Sequence, residues 1–142
     1  MGIVLDSSVL IAAERRRFDF PRLLSGHPNE LFFITSITAS ELLHGCERAV
    51  DAAVRERRKR FVEDVLQDYA ILPFRLPEAR EHARIWAELE KKGTLIGERD
   101  LFIAAIAKTA GYALATLNRD EFARVPALPL IDVGAFELTG RK

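Results

Sequence analysis

Several acidic residues lie where predicted strands end or helices begin, and they are the side chains of this sequence best placed to do chemistry. Asp6 ends the first apolar stretch, Glu41 follows the second, and Asp100 lies near the start of an apolar helix. Carboxylates a few ångströms apart raise each other's pKa unless a cation lies between them. Oxygen ligands without supporting His or Cys favour Mg²⁺ or Mn²⁺ over Zn²⁺. The pattern therefore predicts a divalent metal site that could clamp a phosphodiester and orient a water molecule.

A fourth acidic position follows the fourth predicted strand, where Asp120 and Glu121 are adjacent. Each of these acids also has an ordinary structural explanation. Asp100 would complement the positive end of its helix, an effect of about 0.3–1 kcal/mol. The other acids could belong to helix caps. Asp6 could itself cap the first helix, Glu41 fits the capping pattern Thr38-x-x-Glu41, and Glu121 fits the pattern Asn118-x-x-Glu121. Four acids at one edge of a sheet favour the metal site over four independent caps.

Five short apolar segments are predicted to be strands, at 2–5, 31–35, 70–74, 112–116 and 130–133. Their apolar residues are largely continuous rather than alternating, which is typical of strands buried on both faces. Strands that alternate with helices predict an α/β domain with a small parallel sheet of four to five strands, covered on both faces. Because the carboxyl ends of parallel strands share one edge and ligands bind in the crevice there, the acids should gather at that edge.

Helices are predicted between the strands, at 9–14, 18–24, 42–46, 50–69, 78–92, 97–111 and 118–122. Helix 97–111 is apolar on nearly every face, so it should be buried with Asp100 in its first turn. Glu41 is expected in the first turn of the helix that includes 42–46. In helix 78–92 the residues expected to face inward are Ala79, Ala83, Trp86, Ala87 and Leu89.

Length and composition predict one globular domain over 1–142, since 49% of the 142 residues are hydrophobic. The net charge is zero, so a polyanion would have to be held by a local patch. Cys46 is the only cysteine and cannot form an internal disulfide, which fits a reducing cytoplasm. No apolar run approaches the roughly 20 residues of a membrane span.

Four motifs, in this order, give the chain its resemblance to a known family. They are IVLDSS at 3–8, ITASELLHG at 37–45, IGERDLFIAA at 96–105 and TLNRDEFARVP at 116–126. Over nearly its whole length the chain resembles PIN-domain ribonucleases of the VapC toxin type, from bacterial and archaeal toxin–antitoxin systems. The resemblance implies a three-layer α/β/α fold, endoribonuclease activity that depends on Mg²⁺ or Mn²⁺, and neutralisation by a small antitoxin protein.

The resemblance also implies roles for individual residues. Asp6 and Asp100 match the family's metal ligands, and Glu41 matches either a further ligand or a group that supports the ligands. The fourth acid matches Glu121 best, although Asp120 could substitute. The polar residues that the family places beside the metal correspond to Ser7, Thr116 and Asn118.

Three consecutive arginines, Arg15, Arg16 and Arg17, follow the first predicted helix closely enough to line the crevice. One hypothesis is that they bind RNA phosphates beside the cleaved bond, and the alternative is an ordinary solvated helix end. The helices between 8 and 65 look more apolar than a small sheet can cover. Together with the family resemblance, this predicts a homodimer and an antitoxin peptide in a groove near the crevice.

Other classes of protein fit less well. A phospho-acceptor receiver module would need paired acids after the first strand and a lysine after a late strand, whereas this chain has Asp6-Ser7-Ser8 and no lysine directly after Thr116. No G-x-G-x-x-G follows the first strand, which argues against a dinucleotide enzyme. A DNA-cutting or flap nuclease of related fold would usually be longer. A binding or signalling module with a non-catalytic acidic crevice remains the alternative function.

Overall fold

The computed structural model describes residues 1–138, and the last four positions of the predicted domain, 139–142, lie outside the described residues. Five strands form one parallel sheet in the order β3-β2-β1-β4-β5. The strands are β1 (Gly2–Leu5), β2 (Leu31–Thr35), β3 (Ala70–Leu72), β4 (Ala113–Ala115) and β5 (Leu130–Ile131). The third, fourth and fifth strands are shorter than predicted, and the first two match the predicted bounds.

Helices connect the strands on both sides of the sheet. They are α1 (Ser7–Glu14), α2 (Phe20–Ser25), α3 (Ser36–Arg48), α4 (Ala52–Asp68), α5 (Leu76–Lys92), α6 (Glu98–Ala110) and α7 (Arg119–Phe122). A short 3-10 turn, Gly134–Phe136, follows β5. The described residues contain no helix long and apolar enough to cross a membrane.

Two apolar cores lie on opposite faces of the sheet because successive side chains of a strand point to opposite sides. In β1, Ile3 and Leu5 pack into one core with side chains from α1, α3 and α4. Val4 packs into the other core with side chains from α5 and α6. This arrangement confirms the predicted three-layer α/β/α fold.

The strand order places a crevice at the carboxyl ends of β1 and β4. The chain proceeds from β1 to β2 and β3 on one side, then crosses to β4 on the other side of β1. At such a reversal of strand order, the connections that leave the two adjacent strands run to opposite sides. The crevice between them is where α/β sheets bind ligands. Asp6 follows β1 and Thr116 follows β4, and the backbone N–H of Asp6 donates to the carbonyl of Ala115.

The predicted start of α3 is wrong. The helix begins at Ser36, and Thr35 is its cap, with the Thr35 hydroxyl accepting a hydrogen bond from the backbone N–H of Thr38 at 3.0 Å. Thr38 is buried inside the helix, so the Thr38-x-x-Glu41 pattern is not a capping box. Thr35 is an equally good cap residue one position before the helix, and Glu41 therefore lies in the second turn of α3.

The predicted inner face of α5 is also partly wrong. Leu89 is buried as expected, together with Ile85. Ala83 and Ala87 are exposed, and Trp86 is 48% exposed. Ile85 and Leu89 are four residues apart and define the buried stripe, which leaves the indole of Trp86 at the edge of the helix interface.

Candidate functional site

Asp6 is held by two hydroxyl groups. Its side chain is buried, and Oδ2 accepts hydrogen bonds from Ser8 Oγ at 2.6 Å and from Thr116 Oγ1 at 2.7 Å. Asp6 occupies the cap position before α1, but its side chain makes no capping hydrogen bond. The carboxylate is therefore committed to the β1–β4 crevice rather than to the helix.

Ser8 and Thr116 connect this carboxylate to the segment that follows β4. The backbone N–H of Leu117 donates to Ser8 Oγ at 3.0 Å, and that of Asn118 donates to Thr116 Oγ1 at 2.9 Å. Ser7 was the predicted hydroxyl beside Asp6, but the contact is made by Ser8. The prediction of Ser7 is therefore wrong, because the first turn of α1 directs the hydroxyl of Ser8 back to Asp6.

Asp100 lies across the crevice, in the first turn of α6 as predicted. Asn118 Nδ2 donates to Asp100 Oδ2 at 2.9 Å. Burial raises the pKa of Asp100 to about 7, with further contributions from the negative charge of Asp6, a hydrogen bond to Glu121 and the charges of Glu121 and Glu41. The fold therefore brings all four acidic positions within electrostatic reach of one another.

Glu121 is the member of the Asp120–Glu121 pair that lies close to Asp100. Its Oε1 accepts a hydrogen bond from the backbone N–H of Gly97 at 3.1 Å, and this bond holds the pKa of Glu121 below its usual range. Asp120 is exposed. Asn118 stands at the cap position of α7 without a side-chain capping bond. The Asn118-x-x-Glu121 cap is therefore wrong, because both side chains turn to α6.

This geometry predicts different effects for the two neighbouring acids. For the endoribonuclease activity that the family resemblance implies, Glu121→Gln should lower the cleavage rate about 10- to 100-fold, the usual cost of losing a group that supports a metal site. Asp120→Asn should cleave at close to the wild-type rate because Asp120 faces solvent. Initial rates on one RNA oligonucleotide compare the two proteins. A larger loss in the Asp120 variant would contradict the assignment.

Glu41 reaches the crevice from the second turn of α3 and pairs with an arginine of α6. Arg99 Nε donates to Glu41 Oε2 at 3.1 Å. The other oxygen, Oε1, is buried and has no hydrogen-bond partner within residues 1–138. Glu41, Asp100 and the Gly97–Arg99 segment line an open recess of about 310 Å³.

The donor set of this recess fits a hard divalent cation. All of its candidate ligands are carboxylate oxygens, which Mg²⁺ and Mn²⁺ prefer, and Glu41 Oε1 is a buried oxygen that lacks a partner. In the described part of the chain, no three His, Cys, Asp or Glu side chains are already arranged around one point as ligands for an ion. Binding an ion through three of the acids would therefore require side chains to move.

A basic groove lies beside the crevice, between the end of α1 and α4. Its volume is about 710 Å³, and Arg15, Arg16, Arg57 and Arg58 line it with Glu14. Arg16 has a positive φ of 61°, a conformation that costs a non-glycine residue about 1–2 kcal/mol. Arg17 is exposed and does not line this groove. Two of the three predicted arginines are thus joined by two from α4.

The comparisons with known proteins agree with this fold. The family model of the PIN domain matches residues 3–128, so the chain belongs to the PIN-domain family. It is 36% identical over 133 residues to Ribonuclease VapC of Rickettsia bellii, a match that covers 94% of this chain and 97% of that protein. Within the PIN family, the chain is therefore a member of the VapC ribonuclease group.

Solved structures show the same relationship. VapBC2 from Rickettsia felis, bound to a DNA fragment from its promoter, has a chain that superposes with a TM-score of 0.83 at 28% identity, covering 92% of this chain and 98% of that one. DNA-bound VapBC from Salmonella typhimurium gives the same TM-score and identity over 93% of this chain and 98% of that one. The predicted membership of the VapC type is confirmed.

Proposed function

We propose that this chain is the toxin of a toxin–antitoxin pair and an endoribonuclease that uses Mg²⁺, or Mn²⁺ in its place. The observation that carries the proposal is the meeting of carboxylates from four separate segments at the β1–β4 crevice, in a chain whose curated relatives are named ribonucleases. The ion would be held by Asp6, Asp100 and Glu41, with Glu121 as the fourth acid. When bound, it would neutralise charge on the phosphodiester and lower the pKa of the attacking water.

The surrounding residues would fix the acids for this role. Ser8 and Thr116 hold Asp6 through one oxygen, Oδ2, and Oδ1 would be the oxygen offered to a cation. Asn118 likewise holds Asp100 through its Oδ2, which would leave Oδ1 for the cation. Side chains that orient metal ligands in this way typically contribute 10- to 100-fold in affinity or activity.

Cleavage of total cellular RNA tests this proposal. The purified protein is incubated with RNA in Mg²⁺, Mn²⁺ or EDTA, and the new RNA ends are sequenced. We expect discrete internal cuts with either metal and none in EDTA. A single-stranded DNA of the same length is run in parallel. Tight RNA binding without cleavage in either metal would favour the non-catalytic crevice module, and cutting of DNA alone would make the enzyme a DNA nuclease.

The basic groove is the surface proposed to hold the RNA beside the cleaved bond. It continues toward the crevice, because Glu14, Arg15 and Arg58 also line a smaller recess that includes Glu41. Arg58 is paired with Glu14 at 3.8 Å. Within residues 1–138 the other three arginines of the groove form no ion pair, so their charge is free for phosphates. A chain of zero net charge can thereby attract a polyanion locally.

Removing two of these charges should weaken RNA binding in a salt-dependent way. For Arg15→Ala with Arg57→Ala, the slope of log affinity against log salt is expected to flatten by about 1.4, since each phosphate contact on a single strand contributes about 0.7. Fluorescence anisotropy with a labelled RNA measures both quantities. The matched control is Arg84→Ala with Lys92→Ala on α5, which removes the same charge elsewhere. Equal slopes in the two double variants would contradict RNA binding in the basic groove.

The antitoxin is proposed to dock over the same face. The smaller recess, which Glu14, Arg15 and Arg58 line together with Glu41, also has an apolar wall. This wall is formed by Ile11, Leu42, Phe61 and Val62 and suits an apolar stretch of a partner peptide. A peptide seated there would cover the crevice and the basic groove together. Addition of the cognate antitoxin should therefore release bound RNA from an inactive variant in the same anisotropy assay.

A homodimer is also proposed, with its contact around α5 rather than on the helices between 8 and 65 from which it was predicted. Leu76, Trp86 and Leu95 are each about half exposed or more. Trp86 belongs to an aromatic cluster with His82, which in turn packs against Phe74 and Phe102. A second copy would cover this apolar surface. Light scattering at micromolar concentration should give twice the 16.0 kDa chain mass, and a monomer would contradict the dimer.

A further inference from the structure

Arg99 places a positive charge at the mouth of the acidic crevice, next in sequence to Asp100. Its Nε–H donates to Glu41 Oε2 at 3.1 Å and so links α6 to α3. The Arg99 side chain is 73% exposed, whereas that of Glu41 is 21% exposed. The guanidinium therefore reaches in from solvent to a carboxylate that is mostly buried.

The ion pair with Arg99 satisfies only one of the two carboxylate oxygens of Glu41. Oε2 is bonded to Arg99, while Oε1 is buried without a hydrogen-bond partner in the described residues. A buried polar atom without a partner is unfavourable, so Glu41 would gain from a second cation at Oε1. A divalent ion and the guanidinium would then share one carboxylate, and their like charges would repel each other.

We propose that Arg99 is a positioning residue that holds Glu41 in the metal-free protein and is displaced from it when a divalent ion binds. The inference rests on the proposed metal-dependent function. Ion pairs as exposed as this one are weak, so a divalent ion can break the pair with only a modest loss of affinity. Arg99 thus balances the negative charge of Glu41 until a divalent ion binds.

Metal affinity tests the inference without reference to cleavage. Mn²⁺ binding is measured by isothermal titration calorimetry on the full chain and on Arg99→Met, which keeps a long unbranched side chain but removes the charge. We expect Mn²⁺ to bind the variant about two- to fivefold more tightly, the range that an exposed ion pair supplies. Thermal melts confirm that both proteins are folded.

A second arginine separates the pairing from a general charge effect. Arg124 lies near Glu121 and lowers its pKa, but its Nη1 donates to the carbonyl of Leu95. Arg124→Met therefore removes the same charge from the edge of the crevice without changing the partner of Glu41. We expect a smaller gain in Mn²⁺ affinity for this variant. An unchanged affinity in Arg99→Met, or an equal gain in both variants, would overturn the inference.

Nuclear magnetic resonance gives the direct readout. The Nε–Hε signal of Arg99, assigned by its loss in Arg99→Met, should move toward that of a free arginine as Mg²⁺ is added to the wild-type protein. A signal that stays in place through saturation would overturn the inference. The RNA assay distinguishes the two proposals: if Mn²⁺ binds all three proteins alike and the wild type still cuts RNA, only the role of Arg99 fails.

Discussion

Asp100→Asn should abolish RNA cleavage by this chain while leaving its fold intact. The substitution keeps the shape of the side chain and an oxygen that can accept the hydrogen bond from Asn118 Nδ2, but it removes the charge that would hold the ion. Loss of several kcal/mol of electrostatic stabilisation corresponds to a fall of about 10³-fold or more. Initial rates on an RNA oligonucleotide, with Mn²⁺ affinity measured beside them, test this expectation.

Glu98→Gln is the matched control, because Glu98 lies in the same turn of α6 and lines the mouth of the same recess, but its side chain is exposed. It removes one negative charge from the same helix start without removing one of the four site acids. We expect it to cut RNA at close to the wild-type rate. Full activity in the Asp100 variant, or equal losses in both variants, would exclude Asp100 from the chemistry and with it the proposed mechanism.

The same substitution should make the metal-free protein more stable at alkaline pH. The pKa of Asp100 is about 7 in the folded chain, against an ordinary value near 3.9 when unfolded. The folded state therefore holds the proton more tightly, and its free energy of unfolding falls as pH rises from about 4 to 7. After discounting for solvent screening, asparagine should restore about 1–2 kcal/mol at pH 8. Urea denaturation at pH 5 and pH 8 should show a smaller fall in the variant.

The sequence was sufficient to predict the fold because its pattern is locally consistent. Strands 2–5 and 31–35 are short, continuously apolar and followed at once by helices, which allows few topologies other than a parallel sheet. That topology requires Asp6 and the residues after 112–116 to share an edge. The approach of Glu121 to Asp6 thus follows from strand direction, whereas the position of Asp100 also depends on how the helices α5 and α6 pack between β3 and β4.

Side-chain partners could not be predicted in the same way. Thr35 and Thr38 are both acceptable caps, and the choice between them moves Glu41 from the first turn of α3 to the second. Ser7 was predicted beside Asp6, but Ser8 makes the contact. The pairing of Arg99 with Glu41 joins residues 58 positions apart. Such contacts depend on the rotation and spacing of packed helices, to which local sequence contributes little.

Surface groups were the least predictable part of the site. Arg15 and Arg16 were expected near the crevice, but the groove that they line is completed by Arg57 and Arg58 from α4. Those two arginines belong to a charged helix that reads as an ordinary solvated face. Only the packing of α4 against α1 and α3 shows that one side of this helix borders the crevice.

Thr116→Val should damage both stability and cleavage, because one buried hydroxyl serves two partners. Thr116 Oγ1 donates to Asp6 Oδ2 and accepts from the backbone N–H of Asn118, and the side chain is fully buried. Valine has nearly the same shape but leaves the Asn118 N–H and Asp6 without this partner. Buried polar groups left unpaired cost about 1–3 kcal/mol, and loss of a group that orients a metal ligand lowers activity about 10- to 100-fold.

Thr116→Ser separates the hydroxyl from the methyl group. Serine retains both hydrogen bonds and loses one buried methyl, at a cost of about 1 kcal/mol, so it should cut RNA at close to the wild-type rate. Urea denaturation and initial rates are compared for the two variants, with Mn²⁺ affinity as a third measurement. If valine and serine were equally active, Asp6 would not depend on the hydroxyl for its position. If serine were as inactive as valine, the hydrogen bonds alone would not be sufficient, and the site would also depend on the buried methyl group.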